Sequence, residues 1–348
     1  MARARKKPIP ITIVVGPTGA GKTTLINRLL EDAAFAHTAA ILNDFGAVAL
    51  RNAIVETAAE DYFSLGGGCV CCSVRGALTD GLEKLLRDLD NGRLPAIGRV
   101  VIEADAAADP AAILGAIARH PYLSLRFTAD GIVAVLDAST AGTVLARRAD
   151  TVRQVAMADV IALTRGSVPA LRALNPHAGI VDAASAAPPV FLDHGDFDPA
   201  TGDLTAWLGP DVSTATKGEG EAARVAAFTV ARDTTIPLVA LDRFLEYLAF
   251  MQGQNLIRVR GAVATGDGET VVVDGIGGFF YPPLILDCPA AASGPAVRFT
   301  VIARDLPQAT FEGYLDAFLN EARVDTPDRT ALTDNPLAIA GFSARRGS

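Results

Sequence analysis

Two short stretches of this chain hold residues whose types and spacing can do chemistry. Gly16-Pro17-Thr18-Gly19-Ala20-Gly21-Lys22-Thr23-Thr24 satisfies G-x-x-x-x-G-K-[ST]. In that pattern glycines let successive backbone N–H groups turn inward onto an anion, the lysine reaches the β- and γ-phosphates, and the following hydroxyl faces Mg²⁺. The motif predicts a nucleoside triphosphate site formed by Gly16, Gly19, Ala20, Gly21, Lys22, Thr23 and Thr24, with Thr23 as a Mg²⁺ ligand. Further along, Gly66-Gly67-Gly68 precedes Cys69, Cys71 and Cys72. Thiolates are soft ligands for Zn²⁺, Cu(I) or Co²⁺, but C-x-C-C supplies three of them and a closed tetrahedral site needs a fourth donor. Taken alone, the thiols equally suit buried structural cysteines; the three glycines leave the backbone free to carry them towards something else.

The elements around these stretches must position them. Apolar runs rich in Val and Ile at 11–15, 39–42, 100–102, 132–136 and 160–163 have the composition of strands buried on both faces. Leu25, Ile26, Leu29 and Leu30 follow the glycine motif at helical period, and Leu78, Leu82, Leu85, Leu86 and Leu89 form a second apolar stripe. Strand and helix in alternation predict a mainly parallel α/β sheet covered by helices, with ligands at the carboxyl ends of the strands. The glycine motif, between strand and helix, sits at such an end. Residues 210–223, small, polar and charged without apolar period, read as a linker between a nucleotide-binding domain over 1–209 and a smaller α+β domain over 224–348. In the second domain, 224–233, 255–263, 269–275 and 296–305 read as strands, with helices over 238–251 and 310–319.

Length and charge limit the alternatives. A chain of 348 residues exceeds what one core organises, and 50% hydrophobic with 20% charged residues fills two cores without disulfide support. The formal net charge of −8, with basic residues scattered, argues against a nucleic-acid partner. The basic start "MARARKK" reads as a fraying tail, and the apolar run after it is too short for a signal peptide or a membrane span. Three of four cysteines within four positions fit a reducing cytoplasm, because neighbours that close do not form unstrained bridges.

The ordered set "GPTGAGKTTLINRLL", "NDFG" at 43–46, "GCVCCSVRGAL" at 68–78 and "EADAAADP" at 103–110 resembles the signature of CobW-type P-loop GTPases, relatives of the metal-insertion GTPases for urease and hydrogenase. "QVAMADVIAL" at 154–163 resembles the family's approach to its base-recognition loop, and "LIRVRGAV" and "FTVIARDL" its C-terminal domain. The resemblance implies a nucleotide-gated metallochaperone that binds and hydrolyses GTP with Mg²⁺, carries Zn²⁺ or Co²⁺ at Cys69, Cys71 and Cys72, and delivers it to a metal-requiring client protein. A homodimer is compatible with it. A relative that binds nucleotide and metal without turnover is the alternative, and a small-molecule kinase on the same loop a more distant one. By the same resemblance Asp44 and Glu103 join Lys22 as catalytic candidates, holding Mg²⁺ or orienting the attacking water, and Thr164 and Arg165 belong to the base loop.

At four points the sequence departs from that pattern. Ala106 stands where the family has a glycine whose N–H meets the γ-phosphate. The base loop reads Thr164-Arg165-Gly166-Ser167 in place of Asn/Thr-Lys-x-Asp, so the carboxylate that pairs with guanine is missing. Ala47 replaces a glutamate, and instead of a histidine-rich tract there are His37, His120, His177 and His194, scattered as surface or loop residues. Asp109 before Pro110 reads as a helix N-cap, and Asp137 and Gln154 as cap or helix surface.

Overall fold

A computed structural model describes residues 7–42, 48–50, 73–195, 197, 199, 203–215, 220–266, 268–286 and 294–319. The chain alternates strand and helix as the apolar periods predict: β1 (Ile9–Val15), α1 (Lys22–Leu30), β2 (Thr38–Ile41), β3 (Val48–Leu50), α2 (Ser73–Asp90), β4 (Arg99–Glu103), α3 (Pro110–Arg119), β5 (Phe127–Asp137), α4 (Ala138–Arg147), α5 (Ala149–Met157), β6 (Val160–Thr164), α6 (Leu171–Leu174) and β7 (Gly179–Asp182). These strands form one sheet in the order β3-β2-β4-β1-β5-β6-β7. All neighbours run parallel except β3, which pairs antiparallel with β2 at the edge.

The order places β1 at the centre, so the loop after it opens where neighbouring crossovers diverge. Both faces of the sheet are covered, which is why its strands are apolar throughout. Ile11, Ile13 and Val15 point into one core with Leu82, Leu85 and Leu86 of α2, while Val14 points into the other with Leu25, Ile26, Leu29 and Leu30 of α1. The helical stripes read from the sequence are therefore the faces that the sheet buries. Each fully buried Leu or Ile stabilises the fold by about 1.5–3 kcal/mol.

The rest of the chain forms an antiparallel sheet. Its strands are β8 (Ser213–Ala215), β9 (Val225–Arg232), β10 (Leu256–Ala264), β11 (Thr270–Ile276), β12 (Phe279–Phe280), β13 (Leu284–Leu286) and β14 (Val297–Arg304). The order is β12-β11-β10-β14-β9-β8, with β13 also on β11. A short helix, α7 (Leu204–Leu208), precedes it; α8 (Leu238–Gln252) and α9 (Gln308–Leu319) cover one face through Phe244 and Phe311, whose rings pack edge-on against each other. The stretch read as a linker contributes structure of its own. Ser213–Ala215 pairs with Phe228–Ala226 as an edge strand, and Glu221–Arg224 forms a single 3-10 turn. An edge strand needs pairing on one side only and little apolar pattern, so its sequence signal is weak.

The second sheet turns its other face to the layer built on the parallel sheet. Val225, Ala227, Ile257, Ile276 and Ile302 share a continuous core with Leu114 and Met157. Beside that apolar contact Arg260 donates to Asp159 at 2.6 Å and Arg258 to Asp274 at 3.0 Å. Burial of these charges is tolerated because each meets an opposite one.

Candidate functional site

The glycine motif forms the turn between β1 and α1. Gly16 has φ +140°, and a Cβ there would lie 2.2 Å from the carbonyl oxygen of Val135 on β5. No side chain fits. Gly21, at φ +97°, is the N-cap of α1 and offers no side-chain cap. The amides that open a helix have no intrahelical acceptor, so the loop and the first turn of α1 present N–H groups and the positive end of the helix dipole to the same point. Lys22 Nζ donates to the carbonyls of Gly16 at 3.0 Å and Pro17 at 3.3 Å, which holds the ammonium within the loop.

Thr23 and Glu103 are eighty positions apart and meet here. The Thr23 hydroxyl lies 2.9 and 3.0 Å from the two carboxylate oxygens of Glu103. Glu103 ends β4, which pairs in register with β1 at Val14, and its side chain is 5% exposed. Parallel pairing of the two central strands carries the carboxylate to the hydroxyl. The pair is a hard oxygen donor set of the kind Mg²⁺ takes.

Beyond Glu103 the chain turns through Ala104 to Ala108 and enters α3. Asp109 caps that helix, accepting from the Ala111 amide at 3.0 Å with Pro110 as the first helical residue, as its sequence context predicts. Gln154 differs from expectation. It is 1% exposed, and its side-chain amide donates to the carbonyls of Ala106 at 3.1 Å and Ala108 at 2.8 Å. It thus lies inside, where α5 crosses the segment after Glu103, instead of on a helix surface. Its neighbour Arg153 donates to Asp109 at 3.2 Å and to the Gln254 carbonyl of the second sheet's layer at 3.4 Å. A polar residue among Val152, Val155 and Ala156 was the available signal.

On the other side of the cradle, the Thr164 methyl is 3.5 Å from where a Cβ on Gly21 would stand, so the loop after β6 borders the phosphate loop. Thr164 donates to the Leu136 carbonyl at 3.3 Å; Arg165, at φ +59°, pairs with Asp137. Asp137 also caps α4 through the Ser139 amide at 3.0 Å and hydroxyl at 2.6 Å. These hydrogen bonds, foremost from Ser139 and then from Arg165, hold its carboxyl below the usual range. Asp44, Ala47, Cys69, Cys71 and Cys72 lie outside the described residues. No group of three His, Cys, Asp or Glu side chains among the described residues is placed to hold a metal ion. No helix among them is long and apolar enough to cross a membrane.

A parallel sheet with a glycine loop at its central strand, a lysine and threonine opening the next helix, and a carboxylate on the adjacent strand defines a P-loop nucleoside-triphosphate-binding protein. Residues 10–168 match the model of the CobW/HypB/UreG nucleotide-binding domain, and residues 225–319 that of the cobalamin synthesis protein cobW C-terminal domain. The chain belongs to the family that combines these two domains. It is 35% identical over 191 residues to the zinc chaperone YjiA of Escherichia coli K12, a match covering 55% of this chain and 59% of that protein. To the zinc-regulated GTPase metalloprotein activator 1 of Schizosaccharomyces pombe it is 29% identical over 175 residues, covering 48% of this chain and 41% of the other. The chain spans about half the length of these relatives. The crystal structure of Zn(II)-bound YjiA GTPase superposes with a TM-score of 0.65 over 90% of this chain and 99% of that one, at 22% identity. At that identity the superposition establishes the fold.

Proposed function

We propose that this chain is a nucleoside-triphosphate-hydrolysing zinc chaperone that couples the state of its nucleotide to retention or release of Zn²⁺ for a metal-requiring client protein. The observation that carries the reading is the hydrogen-bonded pair of Thr23 and Glu103 beneath the glycine loop, together with Lys22. In this reading the amides of Gly19 to Thr24 bind the β- and γ-phosphates, Lys22 neutralises them, and Thr23 with Glu103 hold Mg²⁺, directly or through water. Mg²⁺, when bound, spreads the developing charge over the β- and γ-oxygens. Glu103, buried and fixed at a strand end, is also suited to orient the attacking water, with Asp44 as the second acidic candidate. Zn²⁺ is cargo, taken by the thiolates of Cys69, Cys71 and Cys72, which require a reducing compartment such as the cytoplasm. The names of the relatives, zinc chaperone and zinc-regulated GTPase, support both halves of the reading.

The test is Zn²⁺ affinity of the full chain in the presence of a non-hydrolysable triphosphate and of the diphosphate, with phosphate release followed in parallel. The two nucleotides should give different affinities, Zn²⁺ should change the hydrolysis rate, and Cys71→Ala should remove that change. Equal Zn²⁺ affinity in both nucleotide states would refute the coupling.

A further inference from the structure

The two ends of the nucleotide site differ in chemistry. Thr23 and Glu103 put the metal and γ-phosphate end on the β4 side of the cradle. The nucleoside therefore leaves on the other side, over the carboxyl ends of β5, β6 and β7, where Thr164 borders Gly21. Guanine presents there two adjacent donors, N1–H and the 2-amino group, which a carboxylate accepts together. Adenine presents one donor, the 6-amino group, beside the acceptor N1.

Among the described residues, neither carboxylate at these strand ends is offered as such an acceptor. Asp137 uses Oδ1 for the Ser139 amide and hydroxyl and Oδ2 for Arg165. Asp182, at the end of β7, accepts the Ala184 amide at 2.9 Å, the Ser185 amide at 2.8 Å and the Ser185 hydroxyl at 2.9 Å, all on Oδ1. With one oxygen saturated by its own turn it cannot present both to one base edge. The loop after β6 carries Ser167, exposed, whose hydroxyl gives one donor and two lone pairs on a single oxygen. It can meet the 6-amino group or N1 of adenine, or O6 of guanine, equally well. It cannot accept two parallel N–H bonds as a carboxylate does.

We propose that the site takes purine nucleoside triphosphates without guanine selectivity, so that ATP and GTP bind with comparable affinity, and that Ser167 sets this breadth. The proposal rests on the glycine loop being a triphosphate site. The test is calorimetric titration of the full chain, with Mg²⁺, against non-hydrolysable analogues of GTP, ATP and inosine triphosphate, the last lacking only the 2-amino group. The three dissociation constants should agree within about tenfold, and Ser167→Asp should favour GTP over both others by about tenfold or more, the worth of one bidentate pair. A wild-type preference for GTP over ATP or inosine triphosphate beyond about tenfold overturns the proposal, as does a folded Ser167→Asp protein with no gain. The inosine comparison needs no variant and stands if that substitution does not fold. Binding of none of the three refutes the triphosphate site itself, a result distinct from selective binding of GTP.

Discussion

Replacing Gln154 with leucine isolates the tether between α5 and the segment that follows Glu103. Leucine has nearly the volume of glutamine and keeps the position apolar and filled, so the change removes hydrogen bonds with little cavity. Two carbonyls lose their donor. That of Ala108 is in a fully buried setting and is left unsatisfied, at about 1–3 kcal/mol; that of Ala106 is partly exposed and can be hydrated, at about 0.5–1 kcal/mol. Against this, the side-chain Oε1 of Gln154 has no partner among the described residues, and removing a buried unpaired acceptor returns about 1 kcal/mol. The expected net loss is about 0.5–3 kcal/mol of stability, read as a shift of the urea midpoint. Function discriminates further. The freed segment runs directly from the residue that holds Thr23, so affinity for a non-hydrolysable triphosphate should fall more than affinity for the diphosphate. A midpoint unchanged to within about 0.5 kcal/mol, with the ratio of the two affinities intact, would refute the assignment of Gln154 as a positioning residue.

Two further perturbations follow from single contacts. Gly16→Ala places a Cβ 2.2 Å from the Val135 carbonyl at φ +140°; strain of about 1–3 kcal/mol concentrated in the cradle should weaken nucleotide binding by about tenfold or more, measured by titration, while circular dichroism stays close to wild type. His177 packs close to Gly209 beside Arg260 and Arg298, and burial with those guanidinium groups lowers its pKa from 6.5 to about 4. The unfolded chain then binds a proton that the folded chain refuses between about pH 6.5 and 4, so stability should fall as pH drops through that window, by about 1–3 kcal/mol in total. Melting temperature against pH for wild type and His177→Leu checks this; parallel curves would remove His177 as the cause.

Much of the fold is legible in the chain because the signals are local. The stripe Leu82, Leu85 and Leu86 is apolar whichever sheet it meets, and a run such as Ile11–Val15 has the same composition wherever it lies in the strand order. The glycine loop is legible for the same reason: Gly16 and Gly21 need positive φ in their own backbone, and Lys22 and Thr23 stand beside them in sequence. Gln154 is different. On a helix that also carries Asp150, Thr151 and Arg153 it reads as one more solvent-facing position, and nothing near it in sequence announces carbonyls 48 and 46 positions earlier. The edge strand Ser213–Ala215 escapes notice because three small residues carry no period.

By itself the sequence determined the phosphate loop, the alternation of strand and helix and the faces those helices bury, since each depends on backbone angles or on side-chain periodicity within one element. Which carboxylate meets Thr23, what holds the segment after Glu103, and how Asp137 and Arg165 satisfy each other were decided only by tertiary structure. Those contacts depend on strand order and register, which bring together groups up to eighty residues apart, and a chain read in order contains no measure of that proximity.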